Sequence, residues 1–460
     1  MTIKRGIFGL PVLKKSVKST LMFLFSIIAA LLILTIGKEY PSTALTGYVI
    51  ATIFCFLILY LFIYQFQRSI LQTLHKSFFI LATLLIFLIT TRIVSDKCSE
   101  RMLLLIPFTI IPIVIKTFFE SSTAFYVHLV ALMLSSIIIQ SYEFIIINLA
   151  VGSISIFIMD SIYKETRILI TAVVVIICYC LIYSGVSLIK GTDEFFAADY
   201  SLFAINGFLL LLSYPIIAVF EKNFLMLTDN TLLSLSDKEQ PLLRKLANEA
   251  PGSFHHSLQV ANLAEEAARE IGINSLLVRV GALYHDIGKI ANPLYFVENQ
   301  SESVSPHDSL DPRESAKIII SHINKGIVLG KNYKLPQQVI DFIATHHGTS
   351  VVYFFYKKYV DSNPQEKNTL KQFSYPGPKP FSKETAIVMM ADAVEAASRS
   401  MGDYSEDSID NLVEKITYIQ EQDGQFSDVP LTYKEMSDIR KSFKKTLANI
   451  HHARVAYPER

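Results

Sequence analysis

A histidine and an aspartate stand side by side in the stretch GALYHDIGKI, residues 281–290. His285 and Asp286 are polar residues within an apolar helical pattern. Five more histidines or aspartates lie in patterns of the same kind. The full set is His256, His285, Asp286, His322, His346, His347 and Asp392. A buried carboxylate is costly unless it is paired or bound to a cation. Imidazoles and carboxylates without a thiolate indicate a site for hard or borderline divalent metals.

The size of this set predicts two ions rather than one. A single catalytic zinc uses about three protein ligands. A two-metal hydrolytic site needs a bridging carboxylate, further N and O ligands, and open positions for a bridging hydroxide and a substrate oxygen. A lone histidine such as His322 is more often a hydrogen-bonded core residue than a ligand. Five histidines and two aspartates in apolar helices are difficult to explain as ordinary hydrogen-bonded core residues.

Two cations near these residues have alternative interpretations. Lys289, four residues after His285, either contacts the attacking water or a substrate phosphate, or is an ordinary cation at a helix end that Gly288 closes. Arg399 is seven residues after Asp392 and shares its helix face. Its guanidinium either holds a phosphate with two hydrogen bonds or is exposed to solvent. Both pairs of alternatives stay open.

The other histidines of the second half are not expected to be ligands. Either His255 or His256 could be the first ligand, and the family resemblance described below, in which the ligand directly precedes a serine, implies His256 and leaves His255 a supporting or surface role. His307 lies in a polar stretch, and His451 and His452 belong to a basic amphipathic helix.

The elements that must position these residues follow a long apolar region. The chain has 460 residues, a formal charge of +1 and 51% hydrophobic residues, which is high for a soluble protein. From about Thr20 to Phe220 it consists of apolar runs, each long enough to cross a bilayer core. Eight such segments are predicted, at 20–37, 46–66, 77–95, 102–116, 122–140, 144–160, 167–189 and 200–220. The fourth is short and contains Pro107 and Pro112, so it is either re-entrant or a kinked span.

Lysine and arginine in the connecting segments predict the orientation. One side carries Lys4, Arg5, Lys14, Lys15, Lys18, Arg68, Lys76, Lys116, Lys164 and Arg167, and the other carries mainly Lys38, Lys97, Arg101 and Lys190. Basic residues favour the cytoplasmic side, so the N-terminus is predicted to be cytoplasmic. With eight crossings the second half of the chain is cytoplasmic as well.

All four cysteines lie in the membrane half, which excludes a thiolate site in the other half.

After Phe220 charged residues become frequent, and stretches such as VANLAEEAAREIG show the spacing of amphipathic helices. We therefore predict an all-α protein, a polytopic transmembrane bundle followed by an all-helical domain. The predicted boundaries are 1–220 for the membrane domain, 221–250 for a linking helix and 251–460 for the cytoplasmic domain.

The order of these residues resembles a known family. HDIGK, with histidines and an aspartate before and after it, is similar to the HDIG branch of the HD-domain metal-dependent phosphohydrolases. Longer strings resemble the seven-transmembrane HD proteins of the PgpH type: LANEAPGSFHHSLQVANLAEEAA, VGALYHDIGKIANPLYFVENQ, IIISHINKG, HHGT, YPGPKP, ADAVEAASR, DGQFSDVPLTYKEMSDIRKSF and HARVAYPE. This resemblance extends from about Glu221 nearly to the end of the chain.

The resemblance implies a membrane-bound phosphodiesterase that hydrolyses cyclic di-AMP to linear pApA with two metal ions, iron or manganese, and a bridging hydroxide. One ion would be held by His256, His285, Asp286 and Asp392. The other would be held by Asp286, His322, His346 and His347, with Asp286 as the bridge. Family members usually carry a large extracytoplasmic domain after the first membrane helix, and here that place holds only KEYPSTALT, Lys38 to Thr46.

Two alternatives to this activity are kept. The site acts on another cyclic dinucleotide or a nucleotide, or the domain senses a nucleotide without turnover, which the complete ligand set disfavours. The expected partners are a cyclic dinucleotide and the lipid bilayer, with no nucleic-acid polymer, and homodimer formation is left open.

Overall fold

The computed structural model describes residues 15–161, 167–191, 197–224, 226–300, 305–363, 365 and 369–452. They are almost entirely helical, and a single β-bridge between Val351 and Ser374 is the β-pairing found among them. The chain divides between Thr228 and Asp229 into two compact units. The all-α prediction is therefore confirmed.

Four of the basic residues used to predict orientation, Lys4, Arg5, Lys14 and Lys164, lie outside the described residues, as does most of the HARVAYPE string.

The first unit is a bundle of long apolar helices. Eight segments are long and apolar enough to cross a membrane, which agrees with the predicted number. They are apolar around their whole circumference, as expected for helices that face lipid and each other. The helices are α1 (Lys15–Thr35), α2 (Ser42–Phe66), α3 (Arg68–Gln72), α4 (Leu74–Lys97), α5 (Ile110–Phe118), α6 (Ser121–Ile139), α7 (Tyr142–Ser161), α8 (Arg167–Ile189), α9 (Ala197–Leu209) and α10 (Ser213–Phe224).

The fourth span is broken, as its two prolines suggested. A 3-10 helix at Glu100–Leu105 precedes α5, and the two form one candidate span, Glu100–Phe118. Asn206 compensates for the break, because its amide nitrogen lies 2.9 Å from the carbonyl oxygen of Leu104 and 3.2 Å from that of Ile106. Free carbonyls inside a membrane need such a partner. The structure thus favours a kinked span over a re-entrant loop.

The second unit consists of amphipathic helices. They are α11 (Asp229–Ser236), α12 (Pro241–Glu249), α13 (Pro251–Glu270), α14 (Ser275–Tyr284), α15 (Pro312–Asn332), α16 (Gln337–Thr345), α17 (Tyr353–Ser362), α18 (Lys383–Ser398), α19 (Glu406–Gln422) and α20 (Tyr433–His452). The linking helix predicted at residues 221–250 is not continuous. Instead α10 ends at Phe224 and α11 begins at Asp229, with the backbone of Thr228 hydrogen-bonded to the Glu221 carboxylate.

Helix α18 is the centre of the second unit. It packs against α13, α14, α16 and α19, and its residues from Thr385 to Asp392 are all buried. Small and aliphatic side chains allow these close contacts, while Ser382 caps the first turn by accepting a hydrogen bond from the backbone N–H of Thr385 at 3.2 Å. Because α18 packs against four other helices, a polar side chain on its buried face has a fixed position.

Candidate metal centre

The seven predicted ligands come from five parts of the second unit. His256 lies in α13 and His322 in α15, while Asp392 lies in α18. The remaining four follow helix ends: His285 and Asp286 come directly after α14, and His346 and His347 directly after α16. Six of the seven are buried, and His347 is partly exposed. The structure brings all seven together.

Asp286 lies between two groups of imidazoles. Its Oδ2 is 3.3 Å from Nε2 of His285 and 3.7 Å from Nε2 of His256. Its Oδ1 is 3.5 Å from Nε2 of His322 and 3.6 Å from Nε2 of His346. The two oxygens of one carboxylate therefore face different histidine pairs, which is the arrangement that a bridging carboxylate requires.

Asp392 completes the side of the cluster that contains His256. Its Oδ1 is 2.9 Å from Nε2 of His256 and 3.5 Å from Nε2 of His285, and its Oδ2 is 3.5 Å from Nδ1 of His347. His347 is thus the one histidine of the set that turns its Nδ1 toward these carboxylates.

Three groups of side chains bring their ligand atoms within 4.8 Å of one another, close enough to hold a metal ion. The first contains His256, His285 and Asp392, and the second contains His322, His346 and His347. The third, His285, Asp286 and His346, joins the two. The first two correspond to the halves predicted for the two ions, and Asp286 lies in the group that connects them.

Four histidines are held in the tautomer that metal binding needs. Their Nδ1 atoms face acceptors: the carbonyl of Ala282 at 2.6 Å for His285, of Ile319 at 2.6 Å for His322, of Ile343 at 3.0 Å for His346, and the Glu395 carboxylate for His256. An Nδ1 that donates its proton in this way leaves an Nε2 lone pair directed into the cluster. The Nε2 atoms of His322 and His346 are only 3.2 Å apart. Two lone pairs at that distance repel each other unless a cation lies beside them.

Several polar atoms of the cluster lack hydrogen bonds. Nε2 of His285 and both carboxylate oxygens of Asp286 are buried and form no hydrogen bond of ordinary geometry within the described part of the chain, although Oδ2 of Asp286 is ion-paired with the Lys289 ammonium. Buried polar groups are nearly always satisfied, so atoms of this kind need an explanation such as an ion. The donor set, four Nε2 atoms, one Nδ1 and two carboxylates, fits divalent metals of the borderline class, and the residues present therefore fit the implied metal ions.

The ionised carboxylates of the cluster also favour a positive charge at its centre. Burial alone would raise the pKa of Asp286, but the Lys289 ammonium and His285 hold it well below its usual range. Burial would lower the pKa of His285, and the carboxylates of Asp286 and Asp392 outweigh it and raise that pKa to about 10, so that without an ion Nε2 of His285 carries a proton that a bound cation would replace. Burial lowers the pKa of His322 to about 3, with Asp286 opposing the change. His322 thus keeps a free lone pair, while the carboxylates stay ionised.

Lys289 lies inside the cluster rather than at a helix end. Its Nζ is 2.6 Å from Oδ2 of Asp286 and 2.8 Å from Oε1 of Glu298, and its ammonium lies 4.9 Å from the centre of the Phe296 ring. The two carboxylates hold the pKa of Lys289 above its usual value although burial opposes them. Ser253 donates a hydrogen bond to the same Glu298 oxygen at 2.8 Å. Lys289 is therefore a fixed cation next to Asp286.

Gly288 does not end the helix, contrary to the expectation. Helix α14 already ends at Tyr284, and Gly288 lies within a 3-10 helix at Ile287–Ala291. A Cβ atom on Gly288 would lie 1.8 Å from the carbonyl oxygen of His322 and 2.6 Å from the backbone nitrogen of Gly326. Glycine is needed at this position because the backbone of α15 passes directly against it.

Arg399 is anchored by a residue that sequence reasoning missed. Its Nε and Nη2 donate to Oε1 of Glu395 at 2.8 and 2.7 Å, while Oε2 of Glu395 is hydrogen-bonded to Nδ1 of His256. Glu395 lies three residues after Asp392, on the same face of α18, and is buried. Its spacing, three residues after Asp392 and four before Arg399 on one helix face, is the sequence signal that could have identified it.

Of the histidines not expected to be ligands, His255 and His307 lie outside the metal-compatible groups of the described residues. The His255 side chain is exposed. His307 is buried, but its Nε2 is 2.9 Å from the carbonyl of Tyr295 and it is in none of the metal-compatible groups. His451 and His452 end α20, and their side chains lie outside the described part of the structure.

The cluster opens into a cavity of about 450 Å³. His256, His346, His347 and Asp392 form the metal-facing part of its wall, together with Lys289, Glu298 and Arg399. This volume is within the range of small-molecule sites. Four of the seven candidate ligands therefore face the same space as Lys289 and Arg399.

Two family models match the chain. One described as "HD domain" matches residues 253–397, which include all seven predicted ligands. The other, described as "7TM receptor with intracellular HD hydrolase", matches residues 42–228. That range contains seven of the eight candidate spans, and α1 is the additional one.

Curated relatives match the second half of the chain. The chain is 48% identical over 240 residues to "Cyclic-di-AMP phosphodiesterase PgpH" of Bacillus subtilis, a match covering 52% of this chain and 34% of the relative. It is 43% identical over 249 residues to the protein of that name from Listeria monocytogenes, covering 54% and 34%. A ribonuclease Y of Acholeplasma laidlawii is 28% identical over 178 residues, covering 39% and 24%. The matched stretch thus spans about a third or less of each relative's length.

One solved structure is also similar. The crystal structure of the L. monocytogenes PgpH HD domain in complex with cyclic di-AMP is 44% identical, with a TM-score of 0.45, covering 47% of this chain and all of that one. The two family models show that the chain carries a membrane region of the seven-transmembrane HD type, at residues 42–228, followed by an HD domain at residues 253–397.

Proposed function

We propose that the protein is a phosphodiesterase that hydrolyses cyclic di-AMP to linear pApA with two divalent metal ions, iron or manganese. The observation that carries this proposal is the position of Asp286, whose two oxygens face two different groups of histidines. The substrate is inferred from the names of the relatives that are 48% and 43% identical over 240 and 249 residues.

His256, His285, Asp286 and Asp392 would hold one ion, and Asp286, His322, His346 and His347 the other. Bound there, two divalent ions supply an attacking water of lowered pKa and offset the negative charge that develops on the phosphoryl oxygens. The role of the protein is to fix the orientation of the side-chain lone pairs that would bind the ions. The carbonyls behind His285, His322 and His346 fix the rings before any ion arrives.

Lys289 and Arg399 are proposed to contact the substrate. Both border the cavity next to the cluster. Lys289 carries a fixed positive charge beside Asp286, so a phosphate oxygen that enters this space meets an ammonium without any rearrangement. Arg399 uses two of its donors on Glu395, and the guanidinium has five N–H groups, so donors remain for a second phosphate of a cyclic dinucleotide.

The protein is further proposed to be a multi-pass membrane protein with its catalytic unit on the cytoplasmic side. The seven-transmembrane match and the eight candidate spans support the membrane location. The cytoplasmic side is supported by the excess of lysine and arginine on the side of the N-terminus, combined with an even number of spans.

The test is hydrolysis by the full-length chain, purified in detergent and loaded with manganese. Cyclic di-AMP, cyclic di-GMP and a short linear RNA are supplied separately, and products are separated by ion-exchange chromatography. We expect pApA from cyclic di-AMP, much slower turnover of cyclic di-GMP, and no cleavage of the RNA. Asp286→Ala should abolish turnover, and Asp361→Ala, a change on the exposed side of α17, should leave it unchanged.

Two results would redirect the proposal. If cyclic di-AMP, cyclic di-GMP and the RNA all stay intact with fully metal-loaded protein, the proposed hydrolysis is contradicted, and binding of cyclic di-AMP without turnover would support the sensing alternative. Faster cleavage of cyclic di-GMP or of the RNA would keep the metal centre and replace the substrate. The ribonuclease Y relative makes the RNA comparison informative.

A further inference from the structure

The membrane unit contains a cavity of its own. Its volume is about 550 Å³, and it lies at the end of the bundle where α4, α6 and α8 finish and α7 begins. Successive spans alternate in direction, so α10 finishes at the opposite end. The distribution of lysine and arginine predicts that the end with the cavity is extracytoplasmic. A volume of this size is typical of small-molecule sites.

The floor of the cavity is aromatic and rigid. Phe144, Tyr179 and Phe203 contribute to its wall and are buried. The rings of Tyr179 and Phe203 stack, with centroids 5.2 Å apart and an interplanar angle of 6°. Tyr179 donates a hydrogen bond to Oδ1 of Asn148 at 2.8 Å, and the Asn148 amide donates to the carbonyl of Phe144 at 3.0 Å. These contacts fix the aromatic surfaces before a ligand binds.

The rim of the cavity is charged, and its charges do not balance. Lys190 and Glu143 form an ion pair at 2.5 Å, and Ser141 donates a hydrogen bond to the other oxygen of Glu143. Glu100 also lines the cavity, is exposed, and forms no ion pair with any described residue. The positive charge of Lys190 is therefore already matched, and among the described residues that line the cavity Glu100 adds one negative charge that no lining cation offsets.

We propose that this cavity binds a small organic cation, a protonated amine on an aromatic or apolar body. The amine would lie between Glu100 and Glu143, and the body would lie against Phe144 and Tyr179. Aromatic surfaces and carboxylates both attract an ammonium group, and the apolar part gains from leaving water. An anion would have to compete with Glu143 for Lys190. This inference does not depend on the chemistry of the metal centre.

The probe is phenethylamine, titrated calorimetrically into the full-length chain in detergent. Three compounds of similar size are compared with it: neutral phenethyl alcohol, anionic phenylacetate and zwitterionic phenylalanine. We expect saturable binding of the amine, at least tenfold tighter than that of any of the other three. Preferential binding of phenylalanine or phenylacetate would overturn the proposed ligand class, and equal binding of the alcohol would reduce the site to an apolar cavity.

Variants test whether the binding occurs at this rim. Glu143→Gln should weaken binding of phenethylamine at least tenfold. Glu100→Gln, an exposed position that should tolerate the change, provides a second test if the first variant unfolds, and it should also weaken binding. Glu39→Gln makes the same change in the connection between α1 and α2, outside the cavity wall, and should bind like the unmodified chain. Unchanged affinity in Glu100→Gln and in a folded Glu143→Gln would contradict the proposal.

Discussion

Lys289 places its ammonium nitrogen 2.6 Å from Oδ2 of Asp286, the carboxylate at the centre of the histidine cluster. The same nitrogen lies 2.8 Å from Glu298, so one cation lies between the buried carboxylate of Asp286 and the partly buried carboxylate of Glu298. Lys289 therefore helps to keep Asp286 ionised and available as a ligand for metal ions. It is also the nearest fixed positive charge for a phosphate that enters the cavity.

We predict that Lys289→Met destabilises the metal-free protein. Removing one partner of a buried ion pair costs about 3–5 kcal/mol, because the remaining charge is left unpaired. The measurement is the thermal unfolding midpoint of the second unit within the full-length chain, after chelation. Lys317→Met on the exposed side of α15 is the matched control and should change the midpoint little. Equal midpoints for the two variants would mean that Lys289 does not stabilise Asp286.

Glu395 is predicted to support metal binding through His256. Its carboxylate holds Nδ1 of His256, which fixes the ring with Nε2 toward Asp392 and Asp286. Loss of such a partner typically weakens metal binding about 10–100-fold. Glu395→Gln should therefore weaken the ion bound by His256 and leave the ion beside His322 in place, as measured by competition with a metal indicator.

The control for that change is Glu384→Gln, at the other end of α18, which should leave both ions bound with their original affinity. If Glu395→Gln weakens both ions equally, Glu395 stabilises the fold of the whole centre rather than one ligand.

Gly288→Ala is predicted to disrupt the centre through the backbone. The added Cβ would overlap the carbonyl of His322, so α15 must move away and carry His322 with it. Overpacking of this kind usually costs about 1–3 kcal/mol, and a contact with backbone is among the harder ones to relieve. Gly402→Ala is the matched control, because a Cβ at that position has no neighbour within 4 Å. Thermal unfolding and metal content measured together should separate the two variants clearly.

The sequence predicted the ligand set because each member is a polar residue in an apolar helical pattern. His285, His322 and Asp392 stand out for that reason, and the all-α fold and the eight spans follow from the same periodicity. Glu395 and Glu298 were missed since a glutamate in an amphipathic helix or a polar loop usually faces solvent. Their burial becomes evident only when α13, α18 and the segment around Glu298 are packed together.

Other features depend on contacts between distant segments. Gly288 was expected to end a helix, and its actual constraint is the backbone of α15, more than thirty residues further along the chain. The break before α5 was predicted from its prolines, but its stabilisation by Asn206, which lies about one hundred residues away, was not. Local patterns cannot identify such partners, because they are set by how the helices pack.

The central claim is that Asp286 is shared by two metal ions. It is tested most directly by the number of manganese ions bound per full-length chain, measured by equilibrium dialysis and elemental analysis for the unmodified protein, Asp286→Asn and His322→Ala. We predict two ions for the unmodified chain, one for His322→Ala, and fewer than one for Asp286→Asn, since that change weakens both sites. One ion in the unmodified chain, or two in Asp286→Asn, would contradict the account.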